Sequence, residues 1–274
     1  MRYWLPGTVC VALLLVIYES QAIGTATGWS YEIYRDNLAQ VSAIVVLDDK
    51  VIASLETRDH DGNIVALGTS ATDDRIIASG LQKPDGLVLR SGKVVFTQEA
   101  DNTPVYELEG SEVTPLFSAN SAEGIAVTLN GDLYVVEDRA SGGRVLKYDH
   151  EDGHIDVLLS GLIEGEGICI MPSGNLYIAE KSLGIIYQYN HQQLTVLADN
   201  LESPAYLNCD EDRQGIWITE DRTNLGRLLF LPAGETEPRV IASRLHSPQS
   251  IAILSDTDLL LAEQGRDRIL RLTH

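Results

Sequence analysis

The sequence predicts an all-β protein, a six-bladed β-propeller with four-stranded blades. One strand-turn-strand phrase recurs six times, at spacings of about 38 to 44 residues, the length of a propeller blade. Helical periodicity is missing after the first 22 residues. The two ends of the repeat array also complement each other, which predicts a closed ring.

Each repeat begins with a small residue or proline, a variable residue and a small residue, followed by a short apolar strand. Such apolar runs suit strands that are buried on both faces. The six starting segments are Val41-Ser42-Ala43, Pro84-Asp85-Gly86, Ala122-Glu123-Gly124, Gly165-Glu166-Gly167, Pro204-Ala205-Tyr206 and Pro248-Gln249-Ser250.

A hairpin turn and a second strand follow each apolar strand. Asn130-Gly131 precedes the run from Leu133 to Val136, and Ser173-Gly174 precedes the run from Leu176 to Ala179. Both dipeptides are typical of tight hairpin turns. The repeat is therefore built from antiparallel strands.

The chain ends predict how the ring closes. The last repeat stops after a third strand, Arg268 to Thr273, and so lacks an outer strand. The segment from Tyr31 to Tyr34 is a spare strand near the other end. We expect it to complete the last blade, because closure removes the open sheet edges that favour aggregation.

Residues 1–22 have the pattern of a secretory signal peptide. A charged start is followed by an apolar run from Val9 to Tyr18 and by the small-x-small segment Ser20-Gln21-Ala22. The run is too short for a spanning helix, which favours a removable signal over the alternative, a retained anchor. We therefore expect residues 23–274 to form one extracytoplasmic domain, periplasmic or secreted, with no stable membrane insertion after cleavage.

The formal net charge of −20 restricts the partners of this chain. Nucleic acids and anionic membrane surfaces should be repelled. A divalent metal, a cationic ligand or simple solubility is the natural consequence of such a charge.

Three acids stand at the variable position of consecutive repeats, namely Asp85, Glu123 and Glu166. First strands begin, and second strands end, at one face of the ring, so these side chains should meet at one side of the channel opening. Converging carboxylates suit calcium, or magnesium with retained waters. The alternative is that they bind backbone groups of the turns or face water.

A second set of glutamates recurs near the ends of the second strands, at Glu56, Glu99, Glu137, Glu180, Glu220 and Glu263. Regular repetition favours a structural role, because catalytic residues tend to be unique. Three of these acids precede an arginine that opens the third strand. We expect the pairs Glu137 with Arg144, Glu220 with Arg227, and Glu263 with Arg268.

Histidines and cysteines add less specific signals. His60 and His246 fall in loops on the acidic face and are candidate acid–base groups, with a solvated loop position as the alternative. Cys169 and Cys209 fall on neighbouring first strands. An oxidising compartment would permit a bridge, but diverging strands favour two buried free thiols.

The repeat phrases resemble two related groups of six-bladed propellers. Glu123-Gly124-Ile125-Ala126-Val127 with Gly131 to Glu137, and Gly174 to Glu180, are similar to the NHL repeat and to the senescence-marker-protein/gluconolactonase-like superfamily. The resemblance covers nearly the whole chain after residue 22. In the lactonases of that superfamily, acid and amide side chains at the starts of first strands hold a divalent cation.

The resemblance implies a calcium-type, metal-dependent hydrolase of small lactones or esters. Asp85, Glu123 and Glu166 would be the metal ligands, and Glu166 and His246 the catalytic candidates. The sequence also departs from the lactonase pattern, since Val41-Ser42-Ala43 replaces its Gly-Glu-x-Pro. The alternative is a non-catalytic NHL-type propeller that binds a small molecule or a protein at the acidic face.

Overall fold

The computed structural model describes residues 22–139 and 142–274. All but Ala22 of the predicted signal peptide therefore lies outside the described residues. The described chain forms six antiparallel sheets, the blades, and contacts between successive innermost strands close them into a ring. The predicted six-bladed, all-β propeller is confirmed.

Two strands precede the first blade and join later ones. They are β1 (Gly24–Thr25) and β2 (Ser30–Arg35).

The first three blades each consist of four consecutive strands, named from the channel outward. Blade 1 contains β3 (Val41–Leu47), β4 (Lys50–Leu55), β5 (Gly62–Ala66) and β6 (Arg75–Leu81). Blade 2 contains β7 (Pro84–Arg90), β8 (Lys93–Gln98), β9 (Thr103–Glu109) and β10 (Glu112–Ala119). Blade 3 contains β11 (Ala122–Val127), β12 (Leu133–Glu137), β13 (Gly143–Tyr148) and β14 (Ile155–Leu162).

The last three blades repeat this order, and the final two recruit the early strands. Blade 4 contains β15 (Gly165–Ile170), β16 (Leu176–Glu180), β17 (Ile185–Asn190) and β18 (Gln193–Ala198). Blade 5 contains β19 (Pro204–Asp210), β20 (Gly215–Glu220), β21 (Gly226–Pro232), β22 (Arg239–Leu245) and β1. Blade 6 contains β23 (Pro248–Ser255), β24 (Asp258–Glu263), β25 (Arg268–Thr273) and β2. Short 3-10 helices occupy Ala71–Asp73 and Gln264–Arg266.

Ring closure follows the prediction and goes one step further. Strand β2 pairs with β25, with Tyr31 opposite Leu272, and so completes blade 6. Strand β1 adds a fifth strand to blade 5, with Gly24 opposite Ser243. Between them, Trp29 packs edge-on against Trp217, with ring centroids 5.9 Å apart. The amino-terminal segment thus joins the last two blades.

The core lies between the blades. Each of six apolar clusters combines side chains from two neighbouring sheets, including Trp217 between blades 5 and 6 and Phe96 between blades 1 and 2. Fully burying one large apolar side chain contributes roughly 1.5–3 kcal/mol. Because every blade packs on both neighbours, the ring holds the innermost strands at fixed positions around the channel.

Cys169 and Cys209 form a disulfide, so the prediction of two free thiols is wrong. The two residues lie on β15 and β19, with their Cα atoms 5.6 Å apart. Neighbouring innermost strands come closer than the prediction assumed, because Gly167 lets β15 approach β19. A Cβ atom at Gly167 would meet the carbonyl oxygen of Ala205 at 2.1 Å. The disulfide links blades 4 and 5 beside the channel.

Candidate functional site

All six predicted starting segments begin innermost strands at the same face of the ring. A channel cavity of about 300 Å³ runs behind them, lined by innermost strands of all the blades. We call the channel opening at Asp85, Glu123 and Glu166 the acidic mouth. The exposed fraction is 4% for Asp85 and 8% for Glu123, and the Glu166 side chain is 15% exposed. These carboxylates are therefore largely withdrawn from water.

Hydroxyl groups on the second strands hold the acid-bearing backbone in place. In blade 2, Thr97 accepts a hydrogen bond from the Gly86 amide at 2.8 Å and donates to the Glu123 carbonyl at 2.7 Å. Ser54 bonds the Ala43 amide and the Asp85 carbonyl in the same way, both at 2.8 Å. Each hydroxyl ties the start of one innermost strand to the next blade, so the positions of Asp85 and Glu123 are coupled to the ring.

Asp85 is held by two hydroxyl groups from two other blades. Ser42 of blade 1 donates to Asp85 Oδ1 at 2.5 Å, and Tyr206 of blade 5 donates to the same oxygen. The two hydroxyls lie 2.9 Å apart. Blade 5 stands opposite blade 2, so the Tyr206 side chain crosses the acidic mouth. The Asp85 carboxylate is thus fixed in position by side chains of blades 1 and 5.

Glu123 is buried close to the acids of the two neighbouring blades. Burial, followed by the charges of Asp85 and Glu166, raises the pKa of Glu123 well above its ordinary value. Among the described residues, neither Asp85 nor Glu123 forms an ion pair with lysine or arginine. Burial and the neighbouring acids therefore favour the neutral form of Glu123.

Glu166 faces an internal cation that sequence reasoning missed. Lys181 Nζ lies 3.0 Å from Glu166 Oε1 and 3.1 Å from Asp221 Oδ2. Burial raises the pKa of Glu166 to about 7, although Lys181 opposes this shift. Burial works to lower the pKa of Lys181, but the two carboxylates outweigh it and raise the pKa. The available signal was the position of Lys181, directly after the second strand of its blade.

A second lysine on the same face bridges two of the recurring glutamates. Lys83 Nζ lies 3.1 Å from Glu56 Oε1 and also pairs with Glu99. Burial and the Asp85 charge raise the pKa of Glu56, which also accepts a hydrogen bond from Gln264. The two lysines thus neutralise acids around the mouth and leave the Asp85–Glu123 pair without such a partner.

The other recurring glutamates have the predicted structural role. Glu137, Glu220 and Glu263 have no exposed surface and bind Arg144, Arg227 and Arg268, respectively. Each also accepts a backbone hydrogen bond from the turn before its blade's first strand, such as Asn120 N to Glu137 Oε1 at 2.8 Å. Glu180 uses both oxygens for the amides of Ile163 and Glu164. In blades 3 to 6, these acids therefore link the second strand to the turn that leads into the blade.

His246 lies on the acidic face but belongs to a different group of side chains. Its Nε2 atom is 2.9 Å from Arg266 Nη2, and its amide donates to Glu263 at 2.8 Å. Burial and the neighbouring guanidinium of Arg266 lower the pKa of His246. The ring is consequently neutral near pH 7. His60, the other loop candidate, lies 2.6 Å from the Gln82 amide nitrogen.

The tightest group of potential metal ligands lies on the opposite face. Among residues 22–139 and 142–274, only Asp132, Asp149 and His150 place three ligand atoms within 4.8 Å of one another. Asp132 already binds His150 Nδ1 at 3.0 Å and Lys147 Nζ at 3.1 Å. At the acidic mouth, by contrast, Asp85, Glu123 and Glu166 do not place three ligand atoms within that distance, and Glu166 pairs with Lys181. No helix in the described part of the chain is long and apolar enough to cross a membrane.

Comparisons with known proteins support the architecture. No protein-family model and no curated protein sequence matches the chain. Among solved structures, it resembles a gluconolactonase from Xanthomonas campestris at 10% identity, with a TM-score of 0.75 over 91% of each chain.

Two further structural neighbours differ in their described roles. An auxiliary nutrient binding protein from Bacteroides ovatus is 14% identical, with a TM-score of 0.67 over 92% of this chain and 76% of that one. The aldose sugar dehydrogenase of Streptomyces coelicolor, in its PQQ-bound form, is 15% identical, with a TM-score of 0.64 over 91% and 99%. At these identities the likeness establishes a shared propeller fold, on which different functions occur.

Proposed function

We propose that this protein is an exported hydrolase of small lactones or esters that acts at the acidic mouth with a divalent cation of the calcium type. The observation that carries the proposal is the buried Asp85–Glu123 pair, which has no lysine or arginine partner among the described residues. Clustered carboxyl groups with perturbed pKa values are typical of functional sites. The gluconolactonase among the structural neighbours has the same fold and suggests the reaction class.

The donors at the mouth fit a hard cation. Calcium binds six to eight oxygen atoms, carboxylates foremost, at about 2.3–2.6 Å. Asp85 and Glu123 offer buried carboxyl groups from neighbouring blades, and a cation would offset the burial that raises the pKa of Glu123. Glu166 would be the third ligand if its ion pair with Lys181 broke and its carboxylate bound the ion instead. Held by these residues, such an ion would supply Lewis-acid polarisation of an ester carbonyl.

The chain's own side chains would handle the proton of the attacking water. Glu166 is the proposed general base in the arrangement in which it does not bind the ion and remains oriented by Lys181 at 3.0 Å. His246 is the proposed proton carrier at the rim, where its neutral ring can accept a proton. Export is supported by the signal-like residues 1–22 and by the disulfide, since disulfides persist in oxidising compartments.

Calcium titration tests this function directly. Scanning calorimetry should show a higher melting temperature for calcium-loaded protein than for protein stripped with a chelator. Glu123→Gln should abolish that difference and the hydrolysis of a panel of lactones and esters. Glu151→Gln is the matched control, because Glu151 is exposed on the opposite face. Equal melting temperatures with and without calcium, together with no hydrolysis, would refute the proposal.

A ligand-binding propeller without catalysis is the second candidate. Tyr206 covers Asp85, and Lys83 and Lys181 already engage four acids on this face. A face arranged in this way can bind a small molecule or a protein without reacting. The same lactone panel separates the candidates: binding of a panel compound with no turnover favours the second. Alanine at Glu166 that changed neither activity nor binding would contradict both.

A further inference from the structure

One side chain at the acidic mouth breaks the pattern of the other five blades. The third position of each innermost strand is small in five blades, where it is Ala43, Gly86, Gly124, Gly167 or Ser250. In blade 5 the same position carries Tyr206. Its ring reaches across the channel and packs against the apolar cluster between blades 1 and 2. The space left by five small residues is therefore filled by one phenol.

The Tyr206 hydroxyl is hydrogen-bonded to the carboxylate oxygen that an entering cation would need as a ligand. It donates to Asp85 Oδ1, the same oxygen that accepts the Ser42 hydroxyl. A cation on that oxygen would repel both hydroxyl protons, so at least one hydrogen bond must be released before the ion is seated. Lys181 and Lys83 form ion pairs with other acids and not with Asp85.

We propose that Tyr206 competes with the cation for Asp85 and thereby sets the cation affinity and the opening of the acidic mouth. This inference rests on the cation site proposed above. In the free protein the phenol closes the mouth over Asp85. Binding of the ion releases the phenol, which leaves the mouth open to a substrate at the same time.

Tyr206→Phe tests the competition, because it keeps the ring and removes the hydroxyl. A hydrogen bond to a charged group has a net strength that corresponds to a factor of about ten or more in affinity. Isothermal titration with calcium chloride should therefore give a dissociation constant about tenfold lower for Tyr206→Phe than for the unmodified chain. Tyr177→Phe is the matched control, because that buried tyrosine lies near the start of β16, at the opposite face from Asp85.

A second measurement and a second variant keep the test decisive. Calcium should change the near-ultraviolet circular dichroism of the unmodified chain, and this change should shrink in Tyr206→Phe. If Tyr206→Phe does not fold, Ser42→Ala removes the other hydroxyl on Asp85 Oδ1 and should also tighten calcium binding.

Three outcomes would overturn the inference. Equal calcium affinity in the unmodified chain and Tyr206→Phe would show that the hydroxyl does not compete. Weaker binding in Tyr206→Phe would show that the phenol is itself a ligand. Absence of calcium binding by the unmodified chain would remove the proposed cation site, and this failure is distinguishable because it appears before any substitution is made.

Discussion

Removing the disulfide between blades 4 and 5 should cost a large part of the stability of the ring. Cys169 and Cys209 are 40 residues apart in sequence, and the double substitution Cys169→Ala with Cys209→Ala frees this loop in the unfolded chain. The loop-entropy relation assigns about 4 kcal/mol to a closed loop of that length. For a chain of this size, 1 kcal/mol corresponds to about 2–4 °C, so the melting temperature should fall by about 8–16 °C.

Differential scanning calorimetry of the oxidised protein and the double variant measures this difference. A parallel titration of thiols in the unfolded, unreduced protein should find neither Cys169 nor Cys209 free. The single variant Cys169→Ala should lose as much stability as the double variant, because either change opens the loop. The reasoning would be refuted if the double variant melted within 2 °C of the oxidised, unmodified protein. Two reactive thiols in the unmodified chain would refute it as well.

Two further predictions concern ion pairs on the two faces of the ring. Arg227→Ala leaves the fully buried Glu220 without its cation and should lower the free energy of unfolding by about 1.5–3 kcal/mol in a urea titration. Arg239→Ala breaks only an exposed pair with Glu235 and should change little; an equal loss in both variants would contradict the intrablade role. On the opposite face, burial works to raise the pKa of Asp132, but hydrogen bonds from His150 and Lys147 outweigh it and hold the pKa well below its usual range. This stabilisation is present above the ordinary aspartate pKa of about 4 and is lost as pH falls through the lower folded-state pKa. Asp132→Asn should therefore melt at a lower temperature than the unmodified chain at pH 7, with the difference shrinking steadily as pH falls below about 4; a difference independent of pH would contradict this assignment.

The fold could be predicted because every repeat carries its own local signals. Starting segments such as Pro84-Asp85-Gly86, hairpin turns such as Asn130-Gly131, and apolar runs of strand length recur at intervals close to the length of one blade. The unpaired final strand Arg268–Thr273 then had one available partner, and β2 pairs with it. Strand β1 was missed because two residues, Gly24–Thr25, carry no periodic signal.

The site could be predicted only in part, because its contacts join distant blades. The repeat placed Asp85, Glu123 and Glu166 at equivalent positions, and the glutamate–arginine pairs lay within single blades. The Tyr206–Asp85 bond spans 121 residues and crosses the channel, and Lys181 reaches 40 residues along the chain to Asp221. Neither contact follows from spacing. The disulfide was missed for a related reason, since it depends on how closely β15 approaches β19.

The glycines after the three acids explain why the charge gathers on one side of the ring. Cβ atoms at Gly86 and Gly124 would meet the carbonyl oxygens of Glu123 and Glu166 at 2.8 and 2.6 Å, so each glycine allows the next acid-bearing strand to come close. Gly167 allows the same approach to Ala205, which carries no charge. The run of close contacts therefore brings the starts of three acid-bearing strands together and ends beside Tyr206. Tyr206 directly follows Ala205, the last residue in this run of close contacts. The placement of the three acids and the placement of the phenol over Asp85 therefore depend on the same backbone arrangement.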